Sequence, residues 1–134
     1  VCTLSEGDVV FSLISGTSAI VREQHQGFLF TQNYIKIIPK RGLDSQYLVY
    51  LLNEDTSIKK QFLRGLQGSA ILKYAVKQVK DLRIPKLPDL DNQRAIGQVY
   101  FNQLKLESLK IHVAKSETQI MFSKLREEND KWAN

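Results

Sequence analysis

The side chains that most often perform chemistry are few in this sequence, and they stand far apart. His25 and His112 have no second histidine or cysteine at a spacing suited to zinc. Cys2 is the only cysteine, so the chain offers neither an internal disulfide nor a pair of thiolate ligands. It also contains no glycine-rich phosphate loop and no nucleophile elbow. We therefore expect no metal, no cofactor and no nucleophilic centre.

The acidic residues offer one further route to catalysis, which is magnesium-dependent cleavage of DNA. Pro88-Asp89 resembles the start of a nuclease motif, but the Glu-x-Lys continuation is missing because two residues separate Glu107 from Lys110. The other glutamates of this region stand among lysines, and ion pairs on a helix surface explain them. A protein without catalytic activity is the prediction, and a small nuclease is the minor alternative.

Positive charge is concentrated in one stretch of the chain, whose formal net charge is +5. Residues 59–86 contain a single acidic residue, Asp81, and eight basic ones: Lys59, Lys60, Arg64, Lys73, Lys77, Lys80, Arg83 and Lys86. That segment alone carries +7, which leaves the remainder slightly negative. Such a stretch either binds nucleic-acid phosphates or only covers a solvated surface.

Hydrophobic patterning predicts a small head of strands and short helices. β-Branched and aromatic runs between turn residues predict strands over residues 8–14, 19–21, 28–30 and 34–38. One short helix is predicted to start after an Asp44 cap, and a second to start at Asp55 or Thr56 and end at Gly65. A third is predicted over residues 75–82. Prolines then favour an extended segment over residues 83–87.

The C-terminal region is predicted to be one long helix. After Pro88 the chain has no proline and a single glycine, so about 40 residues can form a helix on the order of 60 Å long. This length exceeds the width of a small head, so the helix cannot lie wholly on its own domain. Heptad spacing predicts a coiled-coil seam of Val99, Leu106, Leu109, Val113 and Ile120. Most d-type positions are polar, which favours a specific antiparallel partner helix over a parallel zipper. A second row on another face, Leu104, Ile111 and Leu125, predicts a second neighbour.

These elements define an α+β fold class: a small β-rich head with short helices, followed by one long C-terminal helix of coiled-coil type. We expect the head to comprise residues 1–88 and the helix residues 89–134. Apolar runs are far shorter than the roughly 18–20 residues that span a bilayer, so no membrane segment is expected. No signal segment opens the chain, and a cytoplasmic location is the resulting expectation.

Several segments also occur in an order that is typical of one family. Residues 7–17 (GDVVFSLISGT) combine a Gly-Asp pair, an apolar strand and a Gly-Thr pair, and Thr31-Gln32-Asn33 precedes the strand that ends at Pro39. Residues 47–53 (YLVYLLN) follow, and residues 67–96 hold a Gly-Ser loop, a short helix and an Ile-Pro-x-Leu-Pro-x-Leu segment. Together they resemble the target recognition domain and spacer helix of a type I restriction-modification DNA specificity (S) subunit.

This resemblance implies a non-catalytic subunit, without a cofactor, that binds double-stranded DNA and positions methyltransferase and restriction subunits on it. Residues 1–88 would be a partial target recognition head, and residues 89–134 a spacer and dimerisation helix. The chain departs from the family pattern at Asn92-Gln93, where Glu-Gln is usual, so Asp89 or Asp91 would have to cap the helix. Against the family pattern, we also expect the first part of a recognition domain to be missing and one such domain to be present instead of two. Two copies with antiparallel long helices would restore the arrangement, so the resemblance predicts a homodimer.

The resemblance also yields candidate DNA contacts. Polar groups able to hydrogen-bond to base edges are Thr17, Gln32, Asn33, Arg64, Gln67 and Ser69. Candidate phosphate contacts are Lys59, Lys60, Lys73 and Lys77. For the loops around Gly16 and Gly68, ordinary turn chemistry is the alternative explanation. The alternative for the whole chain is a helical scaffold or interaction fragment of such a subunit that has lost DNA binding.

Overall fold

A three-stranded antiparallel sheet lies at the centre of the head. The structure is a computed structural model and describes residues 3–25, 27, 33–66 and 74–133. Strand β1 (Val9–Ser12) lies between β2 (Ser18–Ile20) and β3 (Tyr34–Ile37). A single turn of 3₁₀-helix, Glu23–His25, follows β2. These three strands confirm three of the predictions, and the strand predicted over residues 28–30 falls outside the described residues.

Strand β1 is buried along its whole length, because it is the central strand of the sheet. Its register places Val9 opposite Ile20 on one side and opposite Ile37 on the other. A strand covered on both faces needs apolar residues at successive positions instead of an apolar–polar alternation. This requirement accounts for the nearly continuous apolar run that predicted the strand.

Two consecutive helices, α1 (Ser45–Glu54) and α2 (Thr56–Leu66), complete the core. The buried apolar residues of the two helices and of β1 form the core. Those on the helices are Tyr47, Leu48, Val49, Leu51, Leu52, Ile58 and Phe62. Helix α1 packs against β2 and α2. The prediction that Gly65 ends α2 is wrong, because the helix continues to Leu66.

Both helices begin at the predicted aspartate caps. The Tyr47 amide donates to the Asp44 carboxylate over 3.1 Å, and the Ile58 amide donates to the Asp55 carboxylate over 3.1 Å. A hydrogen bond from the Ser57 hydroxyl, at 2.6 Å, lowers the pKa of Asp55 from its ordinary value of 3.8. The ionised Asp55 therefore stabilises the fold above that value, and this contribution is lost as pH falls through the lowered pKa.

The remaining helices are a short one, α3 (Val76–Lys80), and a long one, α4 (Leu90–Ala133). Helix α3 is shorter than the predicted span of residues 75–82. The segment between α3 and α4 is not helical, as its prolines predict. The Asn92 amide donates to Asp89 over 2.8 Å, which confirms the predicted aspartate cap of α4. Among the described residues, no helix is both long and apolar enough to cross a membrane.

The first turn of α4 is anchored by Gln93, whose side chain is only 1% exposed. Its carbonyl oxygen accepts from the Asp44 amide at 2.9 Å, and its amide nitrogen donates to the carbonyls of Gly42 (3.0 Å) and Pro88 (2.9 Å). The side chain thus joins the start of α4 to the loop that leads into α1. One turn later Gly97 lies so close to α1 that an added Cβ would be 2.8 Å from the Cβ of Gln46.

The chain divides into two compact units, Val1–Val99 and Tyr100–Asn134. The first contains the sheet, the three short helices and the beginning of α4. In the second, the structure describes the rest of helix α4, up to Ala133, and most of its side chains are exposed. This unit exposes many large apolar side chains, although an isolated helix gains little stability from propensity alone.

Replacement of Gln93 should destabilise the head strongly. Gln93→Leu keeps a similar volume but leaves one amide and two carbonyls without partners, so we expect a loss of about 3 kcal/mol in unfolding free energy. Urea denaturation followed by circular dichroism measures this loss. The control Gln24→Leu removes an exposed amide from the 3₁₀ turn and should change stability by less than about 0.5 kcal/mol. Equal stability of the two variants would contradict the anchoring role.

Candidate nucleic-acid interface

An open groove of about 810 Å³ lies between α2 and α3. Helix α2 contributes Lys60 and Arg64, α3 contributes Lys77, and Arg83 follows α3. Asp81 is the only acidic residue among the described residues that line it. None of these four basic side chains forms an ion pair with another described residue. The groove, called the cationic groove below, therefore presents a net positive charge to solvent, which favours binding of an anionic partner.

Helix geometry separates two neighbouring lysines that the sequence grouped together. Lys60 lines the cationic groove, whereas Lys59 does not, because successive residues of an α-helix point about 100° apart. The Nζ atom of Lys59 instead lies 3.5 Å from the carboxylate of Glu54. Of the predicted phosphate contacts, the structure thus brings together Lys60 and Lys77. It adds Arg83, which sequence reasoning did not select, and Lys73 falls outside the described residues.

Two predicted base-reading residues, Thr17 and Asn33, lie at the same end of the sheet, on opposite sides of the central strand β1. The Ser12 amide donates to the carbonyl of Thr17, and the Leu13 amide donates to the carbonyl of Asn33, each at 2.8 Å. The Thr17 hydroxyl lies 2.7 Å from the hydroxyl of Ser15. Neither Thr17 nor Asn33 lines the cationic groove, whereas Arg64 does. The other predicted base-reading residues, Gln32, Gln67 and Ser69, fall outside the described residues.

Tyr74 connects this end of the sheet to the groove. Its amide donates to the carbonyl of Leu13 over 2.7 Å. Its ring makes edge contacts with Phe11 and Phe62, whose centroids lie 6.2 Å and 5.2 Å away. Such aromatic pairs contribute about 0.5–1.5 kcal/mol each beyond their buried area. Because α3 begins two residues after Tyr74, the same residue holds both the sheet end and the start of the helix that carries Lys77.

Two glutamine side chains hold the walls of the cationic groove together. The Gln61 amide pairs with both backbone polar groups of Arg83, and the Gln78 amide nitrogen donates to the Phe62 carbonyl of α2 at 3.4 Å. Gln78 also lies against Gly65, where an added Cβ would overlap its amide nitrogen. The glycine leaves room for the Gln78 side chain against α2. No sequence pattern distinguishes these glutamines from ordinary surface residues.

The described residues contain no group of three or more histidine, cysteine, aspartate or glutamate side chains that could hold a metal ion. The polar residues that lie together are instead basic, amide and hydroxyl groups. These are the groups with which proteins contact phosphates and base edges.

A surface patch with a net positive charge, such as the cationic groove, is typical of nucleic-acid-binding modules. The family model for the type I restriction modification DNA specificity domain matches residues 2–105. This match covers more than half of the chain, which therefore belongs to that family and has the role of a type I restriction-modification specificity component. Neither the search of curated proteins nor the search of solved structures found a significant match.

Substitution of Gly16 tests the packing of Tyr74 against the β1–β2 turn. Gly16 has φ +69°, and an added Cβ would lie 2.5 Å from the Tyr74 ring; Gly7 has φ +89° with nothing within 4 Å. Both alanine variants introduce backbone strain, but only Gly16→Ala also displaces the ring. We expect Gly16→Ala to cost about 1–3 kcal/mol more than Gly7→Ala in chemical denaturation. Equal losses would contradict the contact.

Proposed function

We propose that this chain is the sequence-specific DNA-binding S subunit, or half-subunit, of a cytoplasmic type I restriction-modification system. In this role it is not catalytic, and it positions methyltransferase and nuclease subunits on DNA. The match of residues 2–105 to the specificity-domain family is the observation that carries the proposal. The cationic groove supports it, because four basic side chains without an ion pair among the described residues suit a polyanion.

In this proposal the two halves of the head surface have different tasks. Lys60, Lys77 and Arg64 contact phosphates from the groove and hold the register of the protein on the duplex. Thr17 and Asn33, at the end of the sheet, contact base edges. Gln32, Gln67 and Ser69 join them as further candidates for base contacts, and Lys73 as a further phosphate contact. Arg64 can also pair with guanine, which leaves it a candidate for both tasks.

Charge reversal in the groove should weaken DNA binding in a salt-dependent manner. Lys60→Glu/Lys77→Glu removes two phosphate contacts, so we expect at least about tenfold weaker affinity for a duplex. The salt slope, which is the slope of the logarithm of the binding constant against the logarithm of salt concentration, should fall in magnitude by about 2. Fluorescence anisotropy over a series of salt concentrations measures both quantities. Lys115→Glu/Lys131→Glu makes the same change in net charge on the second unit of α4 and is the control.

Other outcomes would support the alternative functions. Equal binding by both double variants would contradict DNA contact through the groove. A chain that binds no duplex at any salt concentration would support the scaffold alternative. Magnesium-dependent cleavage by the isolated chain would support the nuclease alternative. Protection of a defined sequence in footprinting is the result expected of a specificity subunit.

Helix α4 is proposed to pair with the same helix of a second copy. The seam residues Val99, Leu106, Leu109, Val113 and Ile120 are between 43% and 69% exposed, so their apolar surface is available. An antiparallel alignment that sets Val113 opposite Ser116 of the second copy also sets Leu106 opposite Ser123 and Leu109 opposite Ile120. Each small serine then faces a larger aliphatic side chain. A parallel alignment would instead set serine against serine, which is why the antiparallel arrangement is favoured.

The second apolar row, Leu104, Ile111 and Leu125, is proposed as the surface for the methyltransferase and nuclease subunits. These side chains are between 41% and 59% exposed. Heptad geometry sets them on another face of α4 than the seam, so a homodimer would leave them accessible. The helix would then act as both a spacer between two heads and a dock for the catalytic subunits.

A charge introduced in the seam should separate the two copies. Val113→Asp buries an unpaired carboxylate, so we expect the dimer dissociation constant to rise by about 100-fold or more. Ser108→Asp adds the same charge outside the seam and is expected to leave the dimer intact. Sedimentation equilibrium distinguishes the two results. A monomeric unmodified chain at high concentration would contradict the proposed homodimer.

A further inference from the structure

The backbone of Arg83 has an unusual support. Arg83 lies in the non-helical segment between α3 and α4, where no regular element supplies hydrogen bonds. The Gln61 carbonyl oxygen accepts from the Arg83 amide at 2.8 Å, and the Gln61 amide nitrogen donates to the Arg83 carbonyl at 2.9 Å. One side-chain amide thus satisfies both backbone polar groups of a residue 22 positions away in the sequence.

The chain on the other side of Arg83 is also restricted. Ile84 precedes Pro85, and a residue before proline is limited to extended conformations. Pro85 itself has a constrained φ. The Cα atom of Arg83 is therefore held from α2 through Gln61 and from the following proline, although it belongs to no helix or strand.

This support matters because Arg83 lines the same groove as Lys60 and Lys77. Its side chain is exposed and has no ion pair among the described residues. A guanidinium group binds a phosphate best when its backbone is already in place, since less conformational freedom is then lost on binding. Gln61 itself is neutral and its amide is fully engaged with the backbone, so it has no direct electrostatic role.

We propose that Arg83 is a further phosphate contact of the cationic groove and that Gln61 is its positioning residue. The Gln61 amide holds the Arg83 backbone beside α2, so that one DNA strand in the groove meets Arg83 together with Lys60 and Lys77. This inference rests on the proposed DNA-binding function and adds to it one contact and the residue that makes the contact effective.

A double-mutant cycle tests the proposal with the full chain and a fluorescent duplex of random sequence. Arg83→Gln should lower the salt slope by about 1 and weaken binding about tenfold at moderate salt. Gln61→Leu should lower the slope by a similar amount, although it removes no charge. The double variant should bind no more weakly than Arg83→Gln alone, because Gln61 acts only through Arg83. Arg83→Lys should retain the slope, since the charge remains.

Asn53→Leu is the matched control for the loss of a backbone clamp. The Asn53 side chain pairs with both backbone groups of Ser18, over 2.7 Å and 2.9 Å, in the same way as Gln61 pairs with Arg83, but it does not line the groove. Asn53→Leu should lower thermal stability and leave the salt slope unchanged. If it lowers the slope as much as Gln61→Leu does, a general loss of stability explains both, and the positioning role is wrong.

The pattern of results separates this inference from the proposed function. If Lys60→Glu/Lys77→Glu weakens binding while Gln61→Leu does not, or if the effects of Gln61→Leu and Arg83→Gln add, the groove binds DNA but Gln61 does not position Arg83. If the Lys60→Glu/Lys77→Glu variant binds like the unmodified chain, the groove is not the DNA-contacting surface, and the inference is overturned together with that part of the proposed function.

Discussion

Backbone amides and carbonyls that leave a helix or a strand must find other partners, and this requirement organises the head. Much of the head lies outside regular elements, so ladders and helical turns cannot satisfy all of these groups. Side-chain amides satisfy them instead, on Asn53, Gln61, Gln78 and Gln93. Each amide offers both a donor and an acceptor, so it can pair with the two polar groups of one peptide segment.

These contacts determine where the charged residues lie. The groove has its shape because Gln61 ties the segment after α3 to α2 and because Gly65 lets Gln78 approach the same helix. The basic side chains themselves contribute little to holding the groove, since like charges repel. A surface that gathers unpaired cations therefore depends on neutral hydrogen bonds, and this dependence is why the proposed function assigns the binding to cations and the positioning to amides.

Helix α4 serves two different purposes along its length. In its first turns Gln93 and Gly97 are buried, and they fasten the helix to the loop before α1 and to α1 itself. From Tyr100 onwards the residues form a separate compact unit with exposed apolar side chains in two rows. Exposed aliphatic rows on a helix gain stability only through burial against another surface, which is the physical basis of the proposed partner helices.

The sequence alone determined the elements and their limits where the signal is local. Three kinds of signal depend only on neighbouring residues, so they could be recognised directly in the sequence. They are the aspartate caps at Asp44, Asp55 and Asp89, the apolar run of β1 and the heptad spacing of α4. The ordered family motifs likewise predicted the specificity-domain family that the match to residues 2–105 supports.

Only the tertiary structure decided which of the basic residues act together. It brought Arg83 into the groove with Lys60 and Lys77, and it buried Gln93, which sequence reasoning had treated only as part of a departure from the family pattern. The contacts that hold Arg83 and Gln93 include pairs 22 and 51 positions apart, Gln61 with Arg83 and Gln93 with Gly42. Such pairs follow no helical or strand period, so a glutamine that clamps a distant peptide cannot be distinguished in the sequence from one that faces water.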